Sequence, residues 1–455
     1  MKYIFFNLNI LAAFAAFFTV SLSADAQLTG DGSEGNPYKI NTAVQLAQLA
    51  TYINDGTAPY AEAGKHFQLV NDVNLSDYGE SYNDGQGWIP IGKTNTDNPF
   101  KGVFDGNSKA VTGLWYNNWS LQYNGLFGYV LDGTVKNLIV NGWVNSSNSS
   151  ISEAVGIIAG YNNGHIINCH TIGYVYSCST ISTSYSGGIT GRNNGNISNC
   201  SSSANVITGA ESIYSYSGGI TGYSNGNISN CYSTGTVHSN SERTSYAGGI
   251  TGYNSSTSIV LNCYSSGSVN SNSTDQYSSY AGGIVGENDS EVLNCYSISP
   301  VSATGGNTYA GGIVGRFYKS ISSCAALNPS ISCSGDAEYF GRIVGGQNPS
   351  GTLSSNIAFN GIINPNGETN WNYIGENRID GENYSVQSIY LDGSLGGRFT
   401  AENGWTTQNG KLPGLFGNIV DLPEHLFIEE FSGDGSENNL IKLLQPRNLQ
   451  NLQHL

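Results

Sequence analysis

The segment from Ser184 to Cys200 reads SYSGGITGRNNGNISNC, and it decides the fold because it recurs along the chain. Similar segments end at four further cysteines, Cys231, Cys263, Cys295 and Cys324. The last glycine of each copy, looser copies included, advances in steps of 29 to 34 residues through Gly128, Gly160, Gly191, Gly222, Gly252, Gly286, Gly315 and Gly345. So regular a phase is typical of a repeat protein and argues against disorder.

Each repeat favours short strands over helices. Runs such as Gly-Ile-Thr-Gly and Asn-Ile-Ser-Asn-Cys are rich in β-branched residues and are broken by Asn-Gly turns. A unit of about 31 residues holds three short strands, which is one coil of a β-helix whose coils pair at about 4.8 Å. We therefore predict an all-β chain, a right-handed parallel β-helix (β-solenoid). Propeller blades are the alternative, although they need longer units.

Stacked coils explain the unusual composition. The 455 residues include 60 Gly and 29 Tyr, and only 11% of them are charged. Like charges repeated on successive coils would repel one another, whereas turns need Gly, Asn and Ser. The net charge of −16 argues against nucleic acid and anionic membranes as partners, because both bind clusters of Lys and Arg.

Each repeat position becomes a column along the solenoid. One column is predicted to point into the core and consists of Ile189, Ile220, Ile250, Ile284, Ile313 and Ile343. A second core column consists of Cys169, Cys200, Cys231, Cys263, Cys295 and Cys324. These cysteines could form disulfides, but side chains in parallel register suit that bridge poorly, so a ladder of free thiols is favoured. Cys178 and Cys333 are assigned to one other repeat position.

Tyrosines form columns as well. The longer one contains Tyr185, Tyr216, Tyr246, Tyr280, Tyr309 and Tyr339, and a shorter one follows the cysteines at Tyr232, Tyr264 and Tyr296. Such a column could face a sugar ligand, or it could be a structural ladder of stacked rings. Both interpretations stay open at this point.

No catalytic residue, metal ligand or cofactor site is predicted. The acids of the repeats scatter over several coils, at Glu153, Glu211, Glu242, Asp275, Glu287, Asp289 and Glu291. Three of them, from Glu287 to Glu291, cluster with Arg316, and we interpret this cluster as solvated turn charge in which Glu287 and Arg316 could pair. The chain has no CxxC pair and its six His are scattered, so a metal site is not expected.

The first 26 residues are typical of an export signal. Lys2 precedes an apolar run, and Ala24-Asp25-Ala26 has the small-x-small form that a signal peptidase accepts. A membrane anchor is the alternative, but the run is shorter than the roughly 20 residues that span a bilayer. We therefore predict cleavage before Gln27 and no transmembrane span in the exported chain.

The remaining chain divides around the repeats. Residues 27–120 are assigned to an N-terminal cap and first coils, with a short capping helix after the cap signal at Asn41 and Thr42. Residues 121–351 hold the repeats, and residues 352–430 the final coils and a C-terminal cap. Such caps are expected because an open coil exposes apolar core and a strand edge.

The last residues, 431–455, are interpreted as the start of a second module. The segment GDGSENN, from Gly433 to Asn439, repeats GDGSEGN near the N-terminus, and the match then stops. One set of codons for Leu440 to Leu455, read one base out of frame, encodes a sequence close to that from Pro37 to Tyr52. The hypothesis is a frameshift from residue 440, and a natural short amphipathic tail is the alternative.

Several of these segments resemble one known family. Gly125-Leu126-Phe127-Gly128 with the following KNLIV, the Gly-Gly-Ile-Thr/Val-Gly copies, and the lead-in NPYKI…QLAQLA…GWIPIG are similar to the GLUG-motif family of bacterial exported, adhesin-like β-solenoid proteins. The resemblance implies a location at bacterial surfaces, in adhesin-like proteins or in stalks of secreted IgA-cleaving peptidases. The chain has no HExxH segment, so peptidase activity is not implied.

These observations favour a non-enzymatic exported protein, extracellular or on the cell surface, with the periplasm as the other location. It would present a rigid Tyr- and Asn-rich face to a glycan or to a surface protein that the sequence does not identify. A carbohydrate-active β-helix enzyme of the lyase or hydrolase type is one alternative, and a spacer or stalk of a larger protein is another.

Overall fold

The chain folds as a solenoid of parallel strands. The computed structural model describes residues 27–92, 98–149, 151, 153–209, 211–274, 276–347, 350–427, 430–432 and 442–444. In these ranges each coil pairs in parallel with the next, with registers such as Tyr216↔Tyr246, which confirms the predicted β-solenoid. Its right-handed sense stays a prediction. The predicted signal peptide at 1–26, Asp275 and nearly all of the predicted second-module segment lie outside the described residues.

The coils build two sheets. The smaller sheet takes one strand from each coil: Tyr123–Asn124, Glu153–Gly156, Thr183–Gly187, Tyr214–Gly218, Thr244–Gly248, Ser278–Gly282, Asn307–Gly311 and Ala337–Gly341. The larger sheet takes the other strands of the repeats: Thr190–Asn193, Asn196–Ser198, Ser201–Ser202, Asn205–Thr208, Thr221–Ser224, Ile228–Ser229, Tyr232–Ser233, Val237–Asn240, Thr251–Asn254, Ile259–Leu261, Tyr264–Ser265, Val269–Asn272, Val285–Asn288, Glu291–Leu293, Tyr296–Ser297, Val301–Thr304, Val314–Phe317, Ser320–Ser322, Ala325–Ala326, Ile331–Ser334, Val344–Gln347, Thr352–Ser354, Ile357–Phe359 and Glu382–Tyr384. A Gly-Gly turn joins the two sheets in five repeats, at residues 187–188, 218–219, 248–249, 282–283 and 311–312.

The N-terminal segment starts the solenoid and covers its end. Helix α1, Ala43–Asn54, begins after Thr42, whose hydroxyl accepts a hydrogen bond from the Gln45 amide at 3.2 Å, and this is the predicted cap. The helix buries Leu46, Leu49 and Ile53. The strands of this region are Tyr38–Ile40, His66–Leu69, Val73–Asn74, Val103–Asn117, Phe127–Ser149 and Ala159–Ser179, with a 3₁₀ turn at Ser76–Tyr78.

The solenoid interior has an apolar half and a hydroxyl half. All six isoleucines and all six cysteines of the predicted core columns are fully buried. Opposite them, serine and threonine hydroxyls bond to one another across the coil, as in Ser177–Ser186 at 2.6 Å and Ser215–Ser239 at 2.8 Å. These bonds offset the cost of taking the hydroxyls out of water, although the buried hydroxyls of Thr171 and Ser233 have no such partner.

An asparagine ladder turns the chain before five of the six column cysteines, and Ser323 takes this place before Cys324. The backbone is left-handed, with φ between 52° and 55°, at Asn168, Asn199, Asn230 and Asn262. Asparagine tolerates this conformation better than most residues. Their amides also bond along the column, for example Asn230 Nδ2 to Asn199 Oδ1 at 3.1 Å. This satisfies the sequence expectation that turns in a stacked solenoid use Asn.

The cysteines are free thiols in the structure. Each column thiol donates to the carbonyl two residues before it, as Cys200 does to Ser198 at 3.2 Å. The placement of Cys178 and Cys333 at one repeat position is wrong. Strand register carries Cys333 through Ala303 and on to Ser177, one residue before Cys178. The repeats differ in length. Two residues that are a whole number of average repeats apart in the sequence therefore need not occupy the same strand position.

The buried thiols make a testable contrast. Burial raises the pKa of column thiols such as Cys231 and Cys263, and that of Cys333 to about 12. Because the thiolate is the reactive form, iodoacetamide should leave the column unlabelled in the native protein at pH 8. In denaturant without reductant, mass spectrometry should find all eight cysteines alkylated. A denatured protein with two or more unlabelled cysteines would point to disulfides instead.

The C-terminal part covers one end and one side of the solenoid. Arg342 occupies the place that a motif glycine holds in earlier coils, and its buried guanidinium donates to the Phe359 and Gly381 carbonyls at 3.3 and 3.2 Å. Residues 385–427, here called the C-terminal strap, leave the end and lie along the side. They contain helix α2, Val386–Leu391, and 3₁₀ turns at Ala401–Asn403 and Glu424–Leu426. Beyond them Glu430–Ser432 pairs antiparallel with Lys442–Leu444.

Candidate functional site: a tyrosine groove on the solenoid

The longer tyrosine column lies in exact strand register on the smaller sheet. Successive rings from Tyr185 to Tyr339 stack with centroids 4.5 to 5.1 Å apart and planes within 13° of parallel. The coil spacing imposes this stacking, because neighbouring strands lie about 4.8 Å apart. The column therefore presents a continuous aromatic strip along the solenoid axis.

A second column stands beside the first across the Gly-Gly turn. It lies seven residues later in each repeat and follows the register Tyr129, Tyr161, Arg192, Tyr223, Tyr253, Glu287, Arg316. Its rings meet those of the first column edge-on: Tyr216 and Tyr223 lie 5.8 Å apart at 88°, and Tyr246 and Tyr253 lie 6.0 Å apart at 89°. The two columns thus form the walls of a right-angled groove.

The open part of this groove, called the tyrosine groove below, spans four coils. Its lining consists of Tyr216, Tyr223, Tyr246, Tyr253, Tyr318, Glu287 and Asp289, around a volume of about 660 Å³. Three steps of about 4.8 Å make it roughly 14 Å long. It is therefore large enough for several sugar rings or for an extended peptide.

Glu287 lies inside the groove and is not the solvated turn charge that the sequence interpretation assumed. Strand Val285–Asn288 places its side chain under the tyrosines, and the residue is only 7% exposed. Burial raises the pKa of its carboxyl to about 7, an effect that Arg316 and hydrogen bonds with Tyr318 and Tyr246 oppose only in part. The sequence interpretation was wrong because Glu287 follows Gly286, and a glycine usually indicates a turn. In the structure the strand Val285–Asn288 continues through both residues.

The remaining charges of the predicted cluster are divided between the groove and its surroundings. Arg316 approaches Glu287 at 3.9 Å, as the ladder pairing predicted. Tyr253 donates its hydroxyl to Asp289, which fixes that carboxylate at the wall. Glu291 points elsewhere and pairs with Lys319 at 2.9 Å. Of the predicted cluster, only Glu287 and Asp289 therefore line the groove.

The six tyrosines of the longer column have different surroundings. Tyr216 and Tyr246 line the groove, whereas Tyr185 lies under Arg192 with 5.7 Å between guanidinium and ring. Tyr280 is 6% exposed and accepts a hydrogen bond from Arg316 at 3.3 Å, and Tyr309 lies 5.4 Å from the same guanidinium. Tyr339 ends the column and is 45% exposed. Two of the six are thus open to a ligand of the groove.

Sequence reasoning missed Tyr223, Tyr253 and Tyr318. The signal for the first two was present, because they precede Glu287 at the same position after the motif glycine. That signal becomes meaningful only when the turn brings the two columns together at a right angle, and the sequence spacing does not encode this angle.

The shorter tyrosine column is covered by the C-terminal strap. Phe416 contacts Tyr232, and Trp405 contacts Tyr264 and Tyr296, with ring centroids 5.7 to 6.2 Å apart. The Tyr296 hydroxyl donates to the Pro413 carbonyl at 2.6 Å, and Asn262 Nδ2 donates to the Asn403 carbonyl at 3.0 Å. One tyrosine column is therefore occupied by the protein itself, while the other carries the open groove.

The described residues contain neither a group of side chains placed as a metal site nor a membrane-spanning helix. Within these ranges no group of three or more His, Cys, Asp or Glu side chains is placed to hold a metal ion. In the same part of the chain no helix is long and apolar enough to cross a bilayer.

Two curated proteins are similar to part of this chain. A protein of Evansella cellulosilytica named as a Gly-rich membrane protein is 36% identical over 140 residues, which are 30% of this chain and 15% of that protein. Halomucin of Haloquadratum walsbyi is 33% identical over 142 residues, 30% of this chain and 1% of halomucin. The chain thus spans a small part of the length of these curated relatives.

One solved structure and one family motif also match this chain. The structure, from Bacteroides ovatus and named as an immunoglobulin A1 protease, aligns with a TM-score of 0.40 and 22% identity over 86% of this chain and 95% of that chain. Residues 213–237 match the GLUG motif, and this stretch is most of one coil and includes Tyr216 and Tyr223 of the groove. The chain therefore carries the GLUG motif, as its resemblance to that family predicted.

Proposed function

We propose that this chain is an exported surface protein that binds glycans in the tyrosine groove. The observation that carries the proposal is the open, aromatic-walled groove, four coils long, on a rigid solenoid. Tyrosine offers an apolar ring to the C–H face of a sugar and a hydroxyl to its polar groups. Rigid walls also reduce the ordering cost of binding.

Two further points support the proposal. The matching tyrosine column on the other side is covered by aromatic residues of the strap, so these columns favour contact with planar or apolar partners. The export-type sequence at residues 1–26 and relatives named as a Gly-rich membrane protein and halomucin fit a location outside the cytoplasm.

A glycan array probed with the full chain tests the proposal. Wild type should bind a defined glycan class, and Tyr223→Ala with Tyr253→Ala should weaken that binding at least tenfold, since each stacking contact contributes about 1 kcal/mol. Tyr174→Ala, on another face, serves as the control, and circular dichroism checks that each variant folds. Absence of wild-type binding across the array would leave the spacer hypothesis in its place.

One observation favours a second candidate function, cleavage of a polysaccharide. Glu287 is buried, its pKa lies at about 7, and Asp289 lines the same groove. Such a pair suits a general acid next to a carboxylate base or nucleophile. If this candidate is correct, wild type releases new reducing ends from a bound polysaccharide, and Glu287→Gln binds it without release. Binding without release in both proteins contradicts it.

A further inference from the structure

The tyrosine columns already hold two of the protein's own cations. The Arg192 guanidinium lies 5.5, 5.7 and 5.4 Å from the ring centroids of Tyr161, Tyr185 and Tyr223. Arg316 lies 5.4 and 4.8 Å from those of Tyr309 and Tyr318. All five distances are typical of cation–π contacts. The corner between the two columns is thus a place where a positive group is stabilised.

Three coils lie between these arginines. Register places Tyr223 and Tyr253 at the corresponding position in the first two of them and Glu287 in the third. The residues that line the groove there, all in the described part of the chain, include two acids and no base. The coils between the arginines therefore combine aromatic faces with negative charge and leave room for a cation from outside.

Glu287 strengthens this charge argument. Its partner Arg316 is 3.9 Å away and also contacts Tyr309 and Tyr318, so it compensates the carboxylate only in part. A neutral ligand that covers the groove would bury Glu287 further and keep it protonated, and an anionic ligand would be repelled by the acids. A cationic group would instead stabilise the ionised carboxylate, so its binding would lower the pKa of Glu287 and release the proton that burial holds there.

We propose that the tyrosine groove recognises an amino sugar, a glycan whose free ammonium groups sit against the tyrosine faces and pair with Glu287 and Asp289. This inference rests on the proposed function, because it takes the ligand to be a glycan. The roughly 14 Å length favours an oligosaccharide over a single small ammonium compound, since coil spacing and sugar ring length are similar. The tyrosine walls contact the sugar rings, and the two carboxylates favour a ligand that carries positive charge.

Calorimetric titration of the full chain tests the proposal. The probes are β-1,4-linked glucosamine oligomers and N-acetylglucosamine oligomers of equal length, at pH 6.5 and low ionic strength. The glucosamine oligomer should bind at least tenfold tighter, and added salt should weaken its binding because ionic pairs are screened. The double variant Glu287→Gln, Asp289→Asn should remove this preference. Glu291→Gln, on the same coil but paired with Lys319 outside the groove, should keep it.

The possible outcomes separate this inference from the proposed function. Equal binding of both oligomers would overturn the amine preference and keep glycan binding. No binding of either oligomer, together with an empty glycan array, would overturn both. Oligolysine that binds as tightly as the glucosamine oligomer, with loss in the same double variant, would overturn the sugar assignment in favour of a basic peptide.

Discussion

Gly249→Ala should destabilise the solenoid by about 3 kcal/mol or more, because the added methyl group has no space. A Cβ at Gly249 would lie 2.0 Å from the Gly283 carbonyl oxygen and 2.5 Å from Ser265 Cβ. The first of these atoms is backbone of the next coil, so relief requires the two coils to separate and their hydrogen bonds to lengthen. Urea unfolding followed by circular dichroism should show a clearly lower midpoint.

The control for this variant is Gly35→Ala. A Cβ at Gly35 would have no atom within 4 Å, so the free energy of unfolding of this variant should stay within about 0.5 kcal/mol of the wild-type value. Equal stability of both variants would mean that the coils can spread at the Gly-Gly turn, which contradicts the close approach described here.

Glu287→Gln should remove a large pH dependence of stability. The folded-state pKa of Glu287 is about 7, above its ordinary value of 4.5, so the folded protein holds a proton that the unfolded chain releases. This contribution is complete below pH 4.5 and is lost as pH rises through 7. Over that range wild type should lose about 3 kcal/mol relative to the variant.

Thermal unfolding of both proteins at pH 4, 5, 6, 7 and 8 measures this difference. Other titrating groups, such as His425, are common to both proteins and cancel in the comparison. We expect the variant to be the more stable protein at pH 8, even though it lacks the ion pair with Arg316. Parallel pH profiles would mean that Glu287 is solvated and that the groove does not bury it.

Much of the fold could be predicted because every coil needs similar residues at the same positions, so each structural requirement recurs many times in the sequence. The repeated Gly-Gly pair reflects the close approach of coils at Gly219 and Gly249, and the repeated Asn-Cys pair reflects a left-handed turn followed by a buried thiol. Arg342 replaces the second glycine of the pair near the C-terminal end of the repeats, where its side chain can cover the end. Position-by-position repetition therefore predicts architecture well.

The site was harder to predict because it depends on departures from the repeat. Glu287 occupies a column position held by tyrosine in the two preceding coils, and the tyrosines that hydrogen-bond to it, Tyr246 and Tyr318, belong to two other coils. Phe399, Trp405 and Phe416 of the strap follow no period, so the sequence contains nothing that assigns them to Tyr232, Tyr264 or Tyr296. Contacts between non-repeating and repeating parts need the folded geometry.

The strap also changes how the solenoid carries mechanical load. Coils of a solenoid touch only their neighbours, so a rod of this kind can peel from an end one coil at a time. Here the strap reaches from Ser355, where Arg398 donates at 2.7 Å, down to His170 beside Phe416, and returns to Leu327 through His425 at 2.8 Å. A pull applied at Phe427 therefore enters the rod at Leu327, two coils before its last strand, and is shared by the coils that the strap ties together.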